Sequence, residues 1–158
     1  MRIACPVLFT VLGLTSVSDD ATERASIRGL LDSQVACWNR GDLEGFMRTY
    51  WNSPDLVFQS GGDRTRGWQT VFDRYHKRYR AAGQKMGTLS FSEIELELLA
   101  PEVALAKGRW KLDLPDGTHP AGLYTLILRK RPEGWRIVHD HTSLADHPKP
   151  PSPDSDPR

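Results

Sequence analysis

Over residues 89–143 the sequence reads as four strands joined by links short enough to be hairpins, and this run decides most of what the chain can become. Apolar and polar residues alternate along it, the period of a strand with one buried face. Ala100-Pro101-Glu102, Pro115-Asp116-Gly117 and Arg131-Pro132-Glu133-Gly134 supply turn chemistry between strands at 103–114, 121–130 and 135–143. Strands linked in this way pair as an antiparallel meander. One irregularity stands out. Leu89 and Phe91 alternate in one phase, whereas Ile94, Leu96 and Leu98 alternate in the other. A slip of one residue exchanges the two faces of a strand, so a β-bulge or sharp bend is expected near Ser92-Glu93.

The segment before the strands has helical periodicity. Ile27, Leu30, Leu31, Val35 and Trp38 recur at steps of three and four, predicting a helix over residues 22–39 with Thr22 as its cap and Gly41 as its stop. Asp42 caps a short second helix whose apolar stripe is Leu43, Phe46, Met47 and Tyr50. Pro54 ends it, a short strand follows over 55–59, and Gly61-Gly62-Asp63 turns the chain. Trp68, Val71, Phe72, Tyr75 and Tyr79 lie on one face of a third helix over 68–82. The expectation is an α+β fold: three N-terminal helices packed on a strongly curved, mostly antiparallel sheet, forming a cone with a pocket at its open mouth.

Both ends have a different character. Met1-Arg2, an apolar stretch over 3–14 and the small residues Thr15-Ser16-Val17-Ser18 read as a signal peptide over residues 1–18. The stretch is shorter than the about 20 residues of a membrane span, so no stable span is expected. Export to the periplasm or outside follows if this segment is a leader; otherwise the protein is cytoplasmic. Residues 145–158 carry five prolines and no apolar periodicity, predicting a disordered proline-rich tail and leaving 19–144 as the folded domain. Loss of the leader removes Cys5 and leaves Cys37, read as a buried thiol inside the first helix. The formal net charge of +1 gives no global field toward nucleic acid, so no such partner is expected.

The densest local chemistry is His139-Asp140-His141 in the last strand. Simple alternation places Trp135, Ile137, His139 and His141 on one face and Arg136, Val138, Asp140 and Thr142 on the other. Two imidazoles on one face, about 7 Å apart by strand rise, suit a general acid/base pair. The plainer alternative is one histidine bonded to a neighbour and the other bordering the pocket or a dimer face. A metal needs a third ligand, and His76, His119 and His147 lack ligand spacing, so no metal is expected. Asp140 is a candidate catalytic residue if it faces inward. The expectation leans to an outward ion pair with Arg109, Lys111 or Arg129. Asp55 is the other candidate carboxylate. Tyr50, Trp51, Phe58, Tyr75, Phe91, Trp110 and Tyr124 predict an aromatic interior, within which Tyr50, Trp51, Tyr75 and Trp110 are candidate ligand contacts. Lys107, Arg109 and Lys111 share a strand face that could take an anion through Arg109, although a solvated or dimer-facing row is expected. No phosphate-binding glycine loop, nucleophile elbow or zinc cluster is present in the sequence, and no cofactor is expected.

Three segments resemble SnoaL-like domains of the nuclear-transport-factor-two-like superfamily, whose fold is a cystatin-like α+β cone. They are Cys37-Trp38-Asn39-Arg40-Gly41-Asp42-Leu43-Glu44-Gly45-Phe46, Arg66-Gly67-Trp68, and Gly134-Trp135-Arg136-Ile137-Val138-His139-Asp140-His141-Thr142-Ser143. The resemblance implies the cone and a homodimer formed through the outer sheet face. It implies no single activity: similar folds host ketosteroid isomerases, polyketide cyclases, dehydratases, epoxide hydrolases and non-catalytic domains. A last-strand carboxylate acts as general base in SnoaL-like cyclases, which is what the resemblance implies for an inward Asp140. The expected function is a homodimeric domain binding a small hydrophobic or acidic molecule. The alternatives are an isomerase, dehydratase or cyclase using His139, His141 or Asp140, and a non-catalytic assembly module.

Overall fold

A computed structural model describes residues 16–80 and 85–145. All but the first residue of the expected proline-rich tail, and most of the expected leader, lie outside the described residues.

Helix α1 spans Ser16–Asn39 and presents Ile27, Leu31, Gln34 and Trp38 to the interior, all buried. It starts earlier than the apolar pattern suggests, so Thr22 lies within the helix instead of capping it. Its end is as the sequence predicts. Gly41 takes a φ of 78°, and Asp42 accepts a bond from the Gly45 amide at 2.7 Å to cap α2, Leu43–Met47. The two helices cross closely at Gly45, where a Cβ would lie 2.7 Å from the Cys37 sulfur. Cys37 is buried there, as expected.

The chain then forms β1 (Val57–Ser60), β2 (Asp63–Arg66) and α3 (Trp68–Tyr79). Gly67 turns the chain from strand to helix at a φ of 88°, a conformation that L side chains adopt rarely, while its amide bonds Leu56. The four long strands follow: β3 (Thr88–Ala100), β4 (Val103–Asp113), β5 (Ala121–Arg131) and β6 (Gly134–Thr142).

All six strands form one sheet in the order β2-β1-β6-β5-β4-β3. The meander from β3 to β6 is antiparallel throughout, as expected. The sheet is nevertheless mixed. Strand β1 pairs with β6 in parallel, setting Phe58 opposite Asp140, and β2 closes the far edge as an unforeseen antiparallel strand.

The expected irregularity in β3 is present. Its register shifts between Ser92 and Glu95, and Glu93 takes a φ of 52°. A second bulge was not expected. In β6, Ile137 pairs with Leu128 and His139 with Ile127, so Val138 is an extra residue without a partner on β5. The extra residue exchanges the faces of the strand. Trp135 and Ile137 before it, and Asp140 after it, are all buried on the concave side, whereas His141 is exposed.

The helices lie against the concave face. Asn39 clamps the end of α1 to β3, its amide donating to the Leu89 carbonyl at 3.0 Å and accepting from the Leu89 amide at 2.7 Å. At the other end of α1, Glu23 accepts from the Trp135 indole and the Lys130 ammonium, both at 2.6 Å. The Trp68 indole ties α3 to the Met47 carbonyl at 2.9 Å. On β4 the concave face carries Ala104 and Ala106, both fully buried, which lets the helices approach the sheet. No helix among the described residues is long and apolar enough to cross a membrane.

Candidate functional site

The helices cover one end of the concave face and leave a cavity of about 360 Å³ over the other. That volume lies in the range that holds a small organic molecule. Its wall is aromatic. Tyr75 meets Phe46, Phe58 and Trp38 edge-on, with ring centroids 5.4, 5.6 and 5.8 Å away. Phe91 and Tyr124 continue the wall from the sheet side, 5.0 Å apart.

The polar groups inside are few. The Tyr50 hydroxyl donates to Asp140 Oδ2 at 2.7 Å, and both residues are buried. The other carboxylate oxygen, Oδ1, is buried and has no hydrogen-bond partner, and the same holds for the Tyr124 hydroxyl. Both residues line the cavity. Asp140 and Tyr124 stand on adjacent strands of the concave face, with Asp140 opposite Leu126 and Tyr124 opposite Thr142. They are therefore diagonal neighbours, within reach of one small ligand.

Burial dominates the electrostatics. It pushes the Asp140 carboxyl up to about 7, against the opposing pull of the Tyr50 hydrogen bond. Burial, and then the Asp140 charge, hold the Tyr50 and Tyr75 hydroxyls well above their usual value. Burial also pushes Tyr124 to about 12. The three phenols thus remain proton donors throughout the range in which Asp140 titrates. A carboxyl that changes charge near neutrality, beside phenols that do not, can give or take one proton from a molecule held in the cavity.

The structure divides the sequence-derived candidates. Tyr50, Tyr75, Trp110 and Asp140 all line the cavity. Trp51 lies elsewhere, under the Arg131 guanidinium at 4.3 Å. Arg109 lies on the exposed face, bound to Glu93 at 2.9 Å, and Asp55 sits outside the cavity opposite Arg66 at 3.3 Å. The outward ion pair expected for Asp140 does not form: Arg109 takes Glu93, and Lys111 takes Asp113 at 2.8 Å. The bulge at Val138 is the reason, since it turns Asp140 inward and sends its neighbours out. His139 and His141 accordingly lie on the convex side, away from the cavity. Partial burial, followed by the neighbouring His141, lowers the His139 pKa. Sequence reasoning placed Tyr124 among the interior aromatics but did not single it out; only its missing hydrogen-bond partner marks it. Arg74 and Arg78, two basic residues of α3, also line the cavity.

Comparison with known proteins agrees with this fold. The family profile described as a SnoaL-like domain matches residues 27–147. An NTF2-like protein of unknown function from Shewanella oneidensis MR-1 is 35% identical over 76% of this chain and 98% of its own, with a TM-score of 0.71. A ketosteroid isomerase-like protein from Erwinia carotovora atroseptica is 21% identical, covering 79% of this chain and 98% of its own, with a TM-score of 0.65. A type 2 hexachlorocyclohexane dehydrochlorinase, LinA, is 16% identical, covering 83% and 90%, with a TM-score of 0.67. The last two likenesses show the shared fold alone. A search of the curated proteins gives no match. The profile match spans the whole meander, α2, α3 and the second half of α1, and the Shewanella relative is similar over most of the chain: this chain belongs to the SnoaL-like domains.

Proposed function

We propose that the domain binds a small, mostly apolar molecule in the cone, with Asp140, Tyr50 and Tyr124 as its polar anchors. One observation carries this reading: Asp140 Oδ1 and the Tyr124 hydroxyl are buried, unpartnered and both on the cavity wall. A buried polar atom without a partner costs about 1–3 kcal/mol, and a ligand oxygen placed between these two atoms recovers that cost. The test is a thermal-shift screen of hydrophobic acids, ketones and sterols, joined to mass spectrometry of the protein as purified. The expected result is a rise in Tm with at least one class, reduced in Tyr124→Phe. A protein that carries no ligand and responds to no class refutes the reading.

A second reading is favoured by the titration of Asp140 near neutral pH. An isomerase, dehydratase or cyclase would use Asp140 Oδ1 to take a proton from carbon and return it, with a phenol donating to the substrate oxygen. The names of the isomerase-like and dehydrochlorinase neighbours are consistent with such chemistry in this fold. His139 and His141 have no part in it from the convex face. A rate that rises with pH through about 7 and is abolished in Asp140→Asn distinguishes catalysis from binding alone.

Two accompanying proposals concern the setting. Leu123, 52% exposed, lies on the convex face of β5, and supports pairing of two copies through that face; light scattering on the purified protein decides between monomer and dimer. The sequence of residues 1–18 supports export, which N-terminal sequencing of the cell-derived protein tests directly.

A further inference from the structure

The cavity has charge at its open side that an anchor at Asp140 leaves unused. Arg74 and Arg78 lie one helical turn apart on α3, and both line the cavity. Each guanidinium rests on a ring. Arg74 is 5.8 Å from the centroid of Phe58, and Arg78 is 5.4 Å from that of Tyr79. Such contacts position a guanidinium while leaving its N–H groups free to bond elsewhere. Arg74 spends one donor on the Thr65 hydroxyl at 3.2 Å and meets Asp63 only at 3.8 Å. Asp63 also lines the cavity and is largely exposed. Among the described residues, no carboxylate reaches ion-pair distance of Arg78. Two cations against one anion leave this rim net positive.

Asp140, on the wall of the same cavity, has the opposite character. Asp140 is buried, whereas Arg78 is exposed. A ligand therefore meets cations where it is still partly hydrated, an aromatic wall along its body, and a carboxyl with a phenol at the interior end. An anionic group seated at the interior end would face Asp140 without solvent screening. The same group at the rim gains two guanidiniums shaped for an oxyanion.

We propose that the ligand is an amphiphilic carboxylic acid: an apolar, ring-sized body with its carboxylate on Arg74 and Arg78 and a hydroxyl or carbonyl oxygen at Asp140 and Tyr124. This rests on the cavity being the binding site. It adds the charge and orientation of the occupant.

The experiment compares 6-hydroxy-2-naphthoic acid with its methyl ester, two probes of nearly one shape that differ in charge. Binding is measured by calorimetry at low salt, on the wild-type chain and on the Arg74→Gln/Arg78→Gln double variant. The expected result is roughly tenfold tighter binding of the acid by the wild type, falling to within about twofold of the ester in the variant, with binding of the ester unchanged. Arg78→Gln alone, at an exposed position, is expected to give an intermediate preference and guards against misfolding of the double variant. An ester that binds as tightly as the acid, or an acid preference that survives both substitutions, overturns the proposal while leaving the cavity as the site. Failure of both probes to bind overturns the cavity reading itself, and this proposal with it.

Discussion

Replacing Asp140 by asparagine is expected to stabilise the protein at high pH and to leave it almost unchanged at low pH. The side chain is fully enclosed, and burial raises its carboxyl from 3.8 to about 7. In the unfolded chain the group ionises near its ordinary value. Above that value the unfolded state gains a charge that the folded state resists, so stability falls as pH rises and levels off above about 7. At about 1.4 kcal/mol for each pH unit, the interval amounts to roughly 4 kcal/mol, of which roughly 3 lies above pH 5. Asparagine carries no charge in either state and can still accept the Tyr50 hydrogen bond, now 2.7 Å long. The assay is urea unfolding of both proteins at several pH values from 5 to 8.5. The stability of the variant relative to wild type should climb by about 3 kcal/mol up to pH 7 and then remain flat. His139 works in the other direction, because its lowered pKa makes the folded state lose stability as pH falls through the ordinary histidine value; it is present in both proteins and cancels. Asp42 and Asp113, both held below their usual values, act only under more acid conditions. A difference that does not change with pH, or a variant less stable than wild type at pH 8, refutes the reasoning.

Three further outcomes follow from contacts described above. Tyr50→Phe removes the one bond that lowers the Asp140 pKa, so the carboxyl should titrate above its wild-type midpoint by carbon-detected NMR; a downward movement contradicts the assignment. Asn39→Ala removes both bonds to Leu89 and should cost about 1–3 kcal/mol, with hydrogen exchange at the Leu89 amide accelerating before that of mid-sheet amides. Gly122→Ala places a Cβ 1.8 Å from the Ser143 carbonyl oxygen and should lower stability by about 1–3 kcal/mol through overpacking, visible as a reduced urea midpoint.

Much of the fold could be read from periodicity, because most elements have one apolar face. The stripes of Ile27, Leu31 and Trp38, and of Val71 and Tyr75, announce α1 and α3. The phase change at Glu93 announces its bulge, since apolar residues mark the face on both sides. Strand β2 has no such mark: Asp63, Arg64, Thr65 and Arg66 are all polar, and only pairing with β1 makes them a strand. The parallel pairing of β1 with β6 likewise depends on residues about 80 apart in the chain. The site was partly legible. The aromatic residues and Asp140 were visible as types, but not the face that Asp140 occupies. Around Val138 both faces of β6 mix apolar and polar side chains, so no phase change signals the extra residue.

That extra residue makes β6 a selector. Three titratable side chains stand in succession, and the strand can show the cavity either the acid or the imidazoles but never both sets. Taking Val138 into the ladder as an ordinary paired residue would restore simple alternation and bring His139 and His141 inward in place of Asp140. The interior would then hold groups that are cationic when protonated, and its preference for the charge of an occupant would reverse, with no cavity side chain substituted. In this fold the register of one strand, as well as its composition, determines which titratable group faces the cone.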